Sequence, residues 1–150
     1  MSVLIIEKFI SIFLVVIVLI IFALNESLIV RYYEVESNKI KDKVKQMILG
    51  YGITILEGQN EAIAIIDMYL QYEFDLILSG HAHGGQWRIP RILNGFLAPN
   101  QGFFPKYAGG KYDFNHTTFI VSRGLAKEST RIPRIFNPPE LVIVDILPAS

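Results

Sequence analysis

Sixteen consecutive residues, Phe9–Leu24 (FISIFLVVIVLIIFAL), carry one polar side chain, Ser11. As a helix at 1.5 Å per residue the run spans roughly 24 Å, a little short of a bilayer core of about 30 Å. Val3–Ile6 extends it beyond Glu7 and Lys8, and the long Lys8 side chain can reach back to the interface. A helix buried in a soluble core shows polar positions at a 3.6-residue spacing, and here there are none. A cleavable signal peptide needs a positive start and a small-residue cleavage site, and Ala23-Leu24-Asn25 does not supply one. The run predicts an uncleaved anchor within residues 1–27, a single pass in contact with membrane lipid. Lys8 stands alone on the short side, against Arg31, Lys39, Lys41, Lys43 and Lys45 on the long side. Taken literally, that asymmetry favours a cytoplasmic body, but a folded domain can also follow its own export signal, so both sides stay open.

The anchor also explains the apolar bias of the whole chain. Of 77 apolar residues, 20 fall within Met1–Leu24, leaving 57 in the other 126 positions, an ordinary globular share. Residues 28–150 are therefore expected to form one modest folded domain rather than a disordered tail. With no cysteine, a disulfide scaffold and a thiolate metal site are both excluded. Fourteen basic and fourteen acidic residues cancel, so no nucleic-acid partner is expected.

Local patterns divide the body. Leu28–Val35 is β-branched and aromatic and reads as a strand. Ser37–Leu49 places Ile40, Val44, Met47 and Ile48 at helical spacing and predicts a short amphipathic helix. Ile53–Leu56 reads as a strand, Gly58-Gln59-Asn60 as a turn, and Glu61–Tyr72 as helical, with an edge strand over Ile63–Ile66 as the alternative. Asp75–Ser79 is the clearest strand, and Thr117–Ser122 and Leu141–Leu147 are two more. Between them lie about forty Gly- and Pro-rich residues, expected to be ordered loops with short strands. Their aromatics (Trp87, Phe96, Phe103, Phe104, Tyr107) suit loop packing, with lipid or protein contact as the other use.

Charge is unevenly spread. Tyr51–His83 holds five acids and no Lys or Arg. Gly84–Asn137 holds eight basic residues against Asp113 and Glu128, a net of +6. A basic region beside a polar loop suits a phosphate-bearing ligand, and equally a solvated face balanced in space by the acids.

The chemistry concentrates directly after the clearest strand, in Ser79-Gly80-His81-Ala82-His83-Gly84-Gly85-Gln86. Imidazole is the commonest side-chain ligand for transition metals, and flanking glycines let the backbone turn sharply. In extended chain an H-x-H pair points to opposite faces, whereas a tight loop can bring both rings to neighbouring positions.

The segment Phe74–Ile146 contains FDLILSGHAHGGQWRIP, LAPNQGFFPKYAGGKY and VSRGLAKESTRIPRIFNPPELVIVDI. It closely resembles the C-terminal part of calcineurin-like metallophosphoesterases, in particular their membrane-associated bacterial branch, with a core match over residues 74–147. Gly80–His83 resembles the last metal motif of that superfamily, and residues 25–40 resemble its lead-in to the first core strand. The resemblance implies an α/β (α+β) fold, a calcineurin-like sandwich of two mixed sheets with helices outside, truncated here to mainly its C-terminal sheet. It also implies hydrolysis of a phosphoester substrate at two divalent metals (manganese, iron or zinc), where a bridging hydroxide attacks phosphorus. By motif, His81 would bind one metal and His83 the other, with Arg123, Gly84 and Gly85 on the phosphate side.

The remaining motifs of that family are missing. The chain has no D-x-H, no G-D-x-x-D, no G-N-H-[DE], and no histidine upstream of Gly80. Asn115-His116 follows Phe114, lacks a succeeding acid, and reads as a turn pair. The sequence passes from the first-strand lead-in almost directly to Tyr51-Gly52-Ile53, which in relatives lies far downstream. An internal deletion or a misjoined gene model accounts for this most simply. Two divalent ions about 4 Å apart repel by roughly 17 kcal/mol at an effective dielectric of about 20. Two neutral imidazoles do nothing to offset that, and Asp75 is the nearest acid in sequence. One weakly held metal is the expectation, and hydrolysis by this chain alone is not. A catalytically silent membrane-anchored remnant that binds metal, phosphate or a partner is the alternative. Loss of most of one sheet would also leave unpaired strand edges and an uncovered apolar face.

Overall fold

The computed structural model describes residues 3–48, 66–72, 74–80, 82–98, 101–125 and 133–149. The expected apolar helix is present as α1 (Val3–Ala23), exposed along its length. Ser11 donates to the Glu7 carbonyl at 2.9 Å, so its hydroxyl is satisfied within the helix.

The body is mixed α/β, built from small sheets. In the first sheet β8 (Glu140–Pro148) is central, parallel to β1 (Ile29–Ser37) and antiparallel to β2 (Val44–Ile48). The second centres on β7 (Thr117–Val121), parallel to β3 (Leu76–Ser79) and antiparallel to β6 (Gly110–Phe114). A small hairpin pairs β4 (Leu97–Ala98) with β5 (Gly102–Phe103). The turn between β6 and β7 is the Asn115-His116 pair, with Asn115 at φ 45°, a conformation asparagine tolerates well.

Period-two alternation sorts the side chains of these strands into two layers of core. Ile120 on β7 and Leu78 on β3 pack against Val35 on β1 and Val142 and Val144 on β8, joining the two sheets face to face. The intervening positions Ile77, Phe119 and Val121 face the other way, toward Ile66, Ala82, Ala98 and Tyr107. Ile66 belongs to α2 (Ile66–Tyr69); of the helix expected over Glu61–Tyr72, the described residues are helical to Tyr69, and residues 70–72 form a turn.

One expectation is overturned. The amphipathic helix anticipated over Ser37–Leu49 is replaced, at Val44–Ile48, by β2. Its helical spacing covered only about two turns, too short to hold a helix without tertiary support. Pairing along β8, from Val44↔Ile146 to Ile48↔Val142, satisfies backbone groups on both sides instead. The strand expected over Ile53–Leu56, the turn at Gly58–Asn60 and the alternative edge strand at Ile63–Ile66, save Ile66 itself, lie outside the described residues.

Candidate functional site

Parallel pairing of β3 and β7 sends their C-terminal ends to the same edge of the sheet, where loops of α/β proteins commonly gather ligands. Ser122 N–H donates to the Ser79 carbonyl at 2.8 Å, fastening the loop after β7 to the one after β3. From Gly80 the chain tightens, with Ala82 N–H donating to the Gly80 carbonyl at 2.8 Å. A single 3-10 turn, His83–Gly85, follows.

Four successive residues of this loop have left-handed backbone: His83 (φ 47°), Gly84 (65°), Gly85 (69°) and Gln86 (56°). Glycine accepts such angles freely, while at His83 and Gln86 they are strained, and strained non-glycine residues cluster at functional sites. Crowding makes both glycines obligatory. A Cβ on Gly84 would lie 2.2 Å from Asn137 Oδ1, and one on Gly85 would lie 2.3 Å from the Gly95 Cα.

Asn137 holds the loop in this shape. Its buried side-chain amide donates to the His83 carbonyl at 2.6 Å and the Gln86 carbonyl at 3.2 Å. Arg88 Nη1 donates to the Gly84 carbonyl at 3.1 Å and Nη2 hydrogen-bonds Asn94 Oδ1. His83 is half-buried. His81 lies outside the described residues.

Arg123 follows β7 and is buried, with its guanidinium on Glu140 at the start of β8. Nε donates to Oε2 at 2.7 Å, and Nη2 forms an ion pair with the same oxygen. Arg31 Nε reaches that oxygen too, at 2.8 Å. Arg134 donates to the carbonyls of Arg123 (2.9 Å) and Gly124 (3.3 Å). Among the described residues, the guanidinium groups of Arg31, Arg88, Arg123 and Arg134 lie around the carboxylate of Glu140, itself only 1% exposed. Burial, reinforced by the charge of Arg123, pushes Arg88 down to about 10, and the same two causes lower Arg134. Burial first, then the Glu140 charge, raises the Tyr33 phenol.

Among the described residues no three His, Cys, Asp or Glu side chains come together as a metal site. Asp75, the nearest acid in sequence, accepts from Ser37 Oγ at 2.5 Å and pairs with Lys39 Nζ at 3.1 Å. The Ser37 hydrogen bond, followed by Lys39, holds its carboxyl below the usual range despite partial burial. Glu140 is committed to two arginines. Asn137 and Glu140 were not singled out from sequence, and the signal available was Asn-Pro-Pro-Glu ahead of a strand: two buried polar residues fixed by stiff prolines.

Among curated proteins, the chain is similar to the uncharacterized metallophosphoesterase YkuE of Bacillus subtilis, at 30% identity over 112 residues. The match covers 74% of this chain and 34% of the relative, so the chain spans about a third of that protein's length. No protein-family model matches the chain, and no solved structure does. By this similarity the chain is a distant homologue of a metallophosphoesterase.

Proposed function

We propose that this chain is a membrane-anchored member of the calcineurin-like metallophosphoesterases that carries the family's last metal loop and its phosphate-facing edge without the acidic half of the centre. On this reading His81 and His83 offer imidazoles to a single divalent cation of the manganese, iron or zinc class. Gly84 and Gly85 lie on the phosphoester side, and Arg123, buried on Glu140, contributes there through its charge and not by direct contact. The body is the C-terminal sheet pair of the family's sandwich. Hydrolysis at a dinuclear centre requires carboxylate ligands, and among the described residues none gather beside His83, so on this reading the chain by itself binds metal or phosphate without turnover.

The observation that carries this reading is the fate of the acids: Glu140 and Asp75 are both engaged by cations of the chain itself. A net-positive edge favours an anion and disfavours a second dication. Support for the family comes from the distant homologue and from the Gly-rich loop at a strand end, strained at His83 and Gln86.

The test is hydrolysis of bis(p-nitrophenyl) phosphate by the full chain in detergent with manganese, beside the His81→Ala/His83→Ala double variant. Turnover at the blank rate, with manganese binding that the double variant loses, is the expected result. Metal-dependent turnover abolished in the variant would show a working centre and overturn it.

A further inference from the structure

An aromatic patch lies beside the exit of α1 and is not used by the loop chemistry. Phe96 forms its base, stacked on Trp87 at 5.6 Å and meeting Phe103 and Phe104 edge-on, each at 5.4 Å. The outer rings face solvent: Phe103 is 66% exposed, Phe104 65% and Trp87 38%. Adjacent apolar side chains exposed in this way mark an interaction surface.

We infer that this patch docks onto the lipid bilayer that holds α1, at the level of the headgroups; the inference rests on the anchor reading proposed above. The connection to the helix is short and built of backbone. Trp87 pairs with Ile135 in a β-bridge, with Arg88 N–H donating to the Ile135 carbonyl at 3.0 Å. The indole Nε1 donates to the Pro133 carbonyl at 3.0 Å. The next residue after Ile135, Phe136, donates its N–H to the carbonyl of Ala23, the last residue of α1, at 2.7 Å. Phe104 N–H closes the other side of the patch on the Phe96 carbonyl at 2.8 Å. The rings are therefore moored to the point where the chain leaves the membrane.

Chemistry selects lipid over a second copy. Tryptophan and other aromatic rings favour the membrane interface, where an apolar body and a polar handle are both satisfied. The loops that carry the patch, over 84–109, hold three basic residues and no acid, and two of them, Arg91 and Lys106, are exposed. Two such segments repel each other, whereas anionic headgroups attract them.

Trp87 is the chain's one tryptophan, so its fluorescence reports on the patch alone. The full chain is placed, one copy per disc, in nanodiscs of phosphatidylcholine and phosphatidylglycerol, with and without bromine on the acyl chains near the carbonyl. The expected result is loss of Trp87 emission in brominated lipid and little quenching by aqueous iodide. In Phe103→Ser/Phe104→Ser, which removes two exposed rings and keeps the tether, lipid quenching should fall and iodide quenching rise. Emission sensitive to iodide and indifferent to bromine would overturn the docking, as would shielding from both, which places protein on the patch. Co-flotation with liposomes separates the readings: a chain that floats without bromine quenching fails only in docking, and one that does not float fails in the anchor and the docking together.

Discussion

Glu140 is the residue whose removal should be felt most. It is buried between Arg123, also buried, and Arg31, which is 47% exposed. Glu140→Gln leaves the Arg123 charge uncompensated and should cost about 3–5 kcal/mol, whereas Arg31→Ala should cost less than about 1 kcal/mol. Chemical unfolding of the full chain in detergent measures both, and equal losses would contradict the burial argument. Asn137→Ala, which strips two loop carbonyls of their donor, should cost about 1–3 kcal/mol. Gly84→Ala should also destabilise, by about 1–3 kcal/mol from backbone strain, plus its clash with Asn137. Because Asn137→Ala removes the clashing atoms, the double variant should lose less than the sum of the singles, and strict additivity would show that the two residues do not share the contact. Asp75 gives a pH signature. Its folded carboxyl titrates below the unfolded value, so its contribution is fully present above about pH 4 and disappears as pH falls through the folded value. Carbon-13 NMR titration should find Asp75 below the ordinary range in the native chain and back within it in Ser37→Ala.

At the scale of elements, β3, β7 and β8 were legible because each is a short, mostly apolar run, β-branched in β7 and β8, of strand length. Ile120 tests their packing directly: fully buried between the sheets, its truncation to alanine should cost about 2–5 kcal/mol. Tyr32→Ala on the exposed face of β1 should change stability by no more than about 0.5 kcal/mol. Thermal unfolding in the same detergent compares the two. β2 was misread because its spacing suited either a helix or a strand, and the open edge of β8 decided the matter. No local pattern encodes that edge; it exists only once β1 and β8 are paired. The loop at 80–86 was legible by its residue types, and its shape was not, since the left-handed run depends on Asn137, more than fifty positions away.

At the scale of the molecule, one exposed apolar helix leads into a body of two facing sheets and a hairpin. Phe13→Arg, in the middle of α1, introduces a charge whose insertion costs about 2.5–3.5 kcal/mol at a helix centre. The variant should resist membrane insertion and be extracted by alkaline carbonate, while the parent chain stays with the membrane; equal extraction would remove the anchor reading.

The sequence by itself determined the apolar helix, the principal strands and the histidine loop, because each follows from composition and periodicity within a few consecutive residues. Tertiary structure alone decided which acids remain available. Ionic partners separated by up to 109 positions meet only when strands pair, and the meeting of Glu140 with Arg31 and Arg123 occupies its carboxylate. Sequence spacing carries no trace of that neutralisation, since Coulomb energy depends on distance in space and on burial.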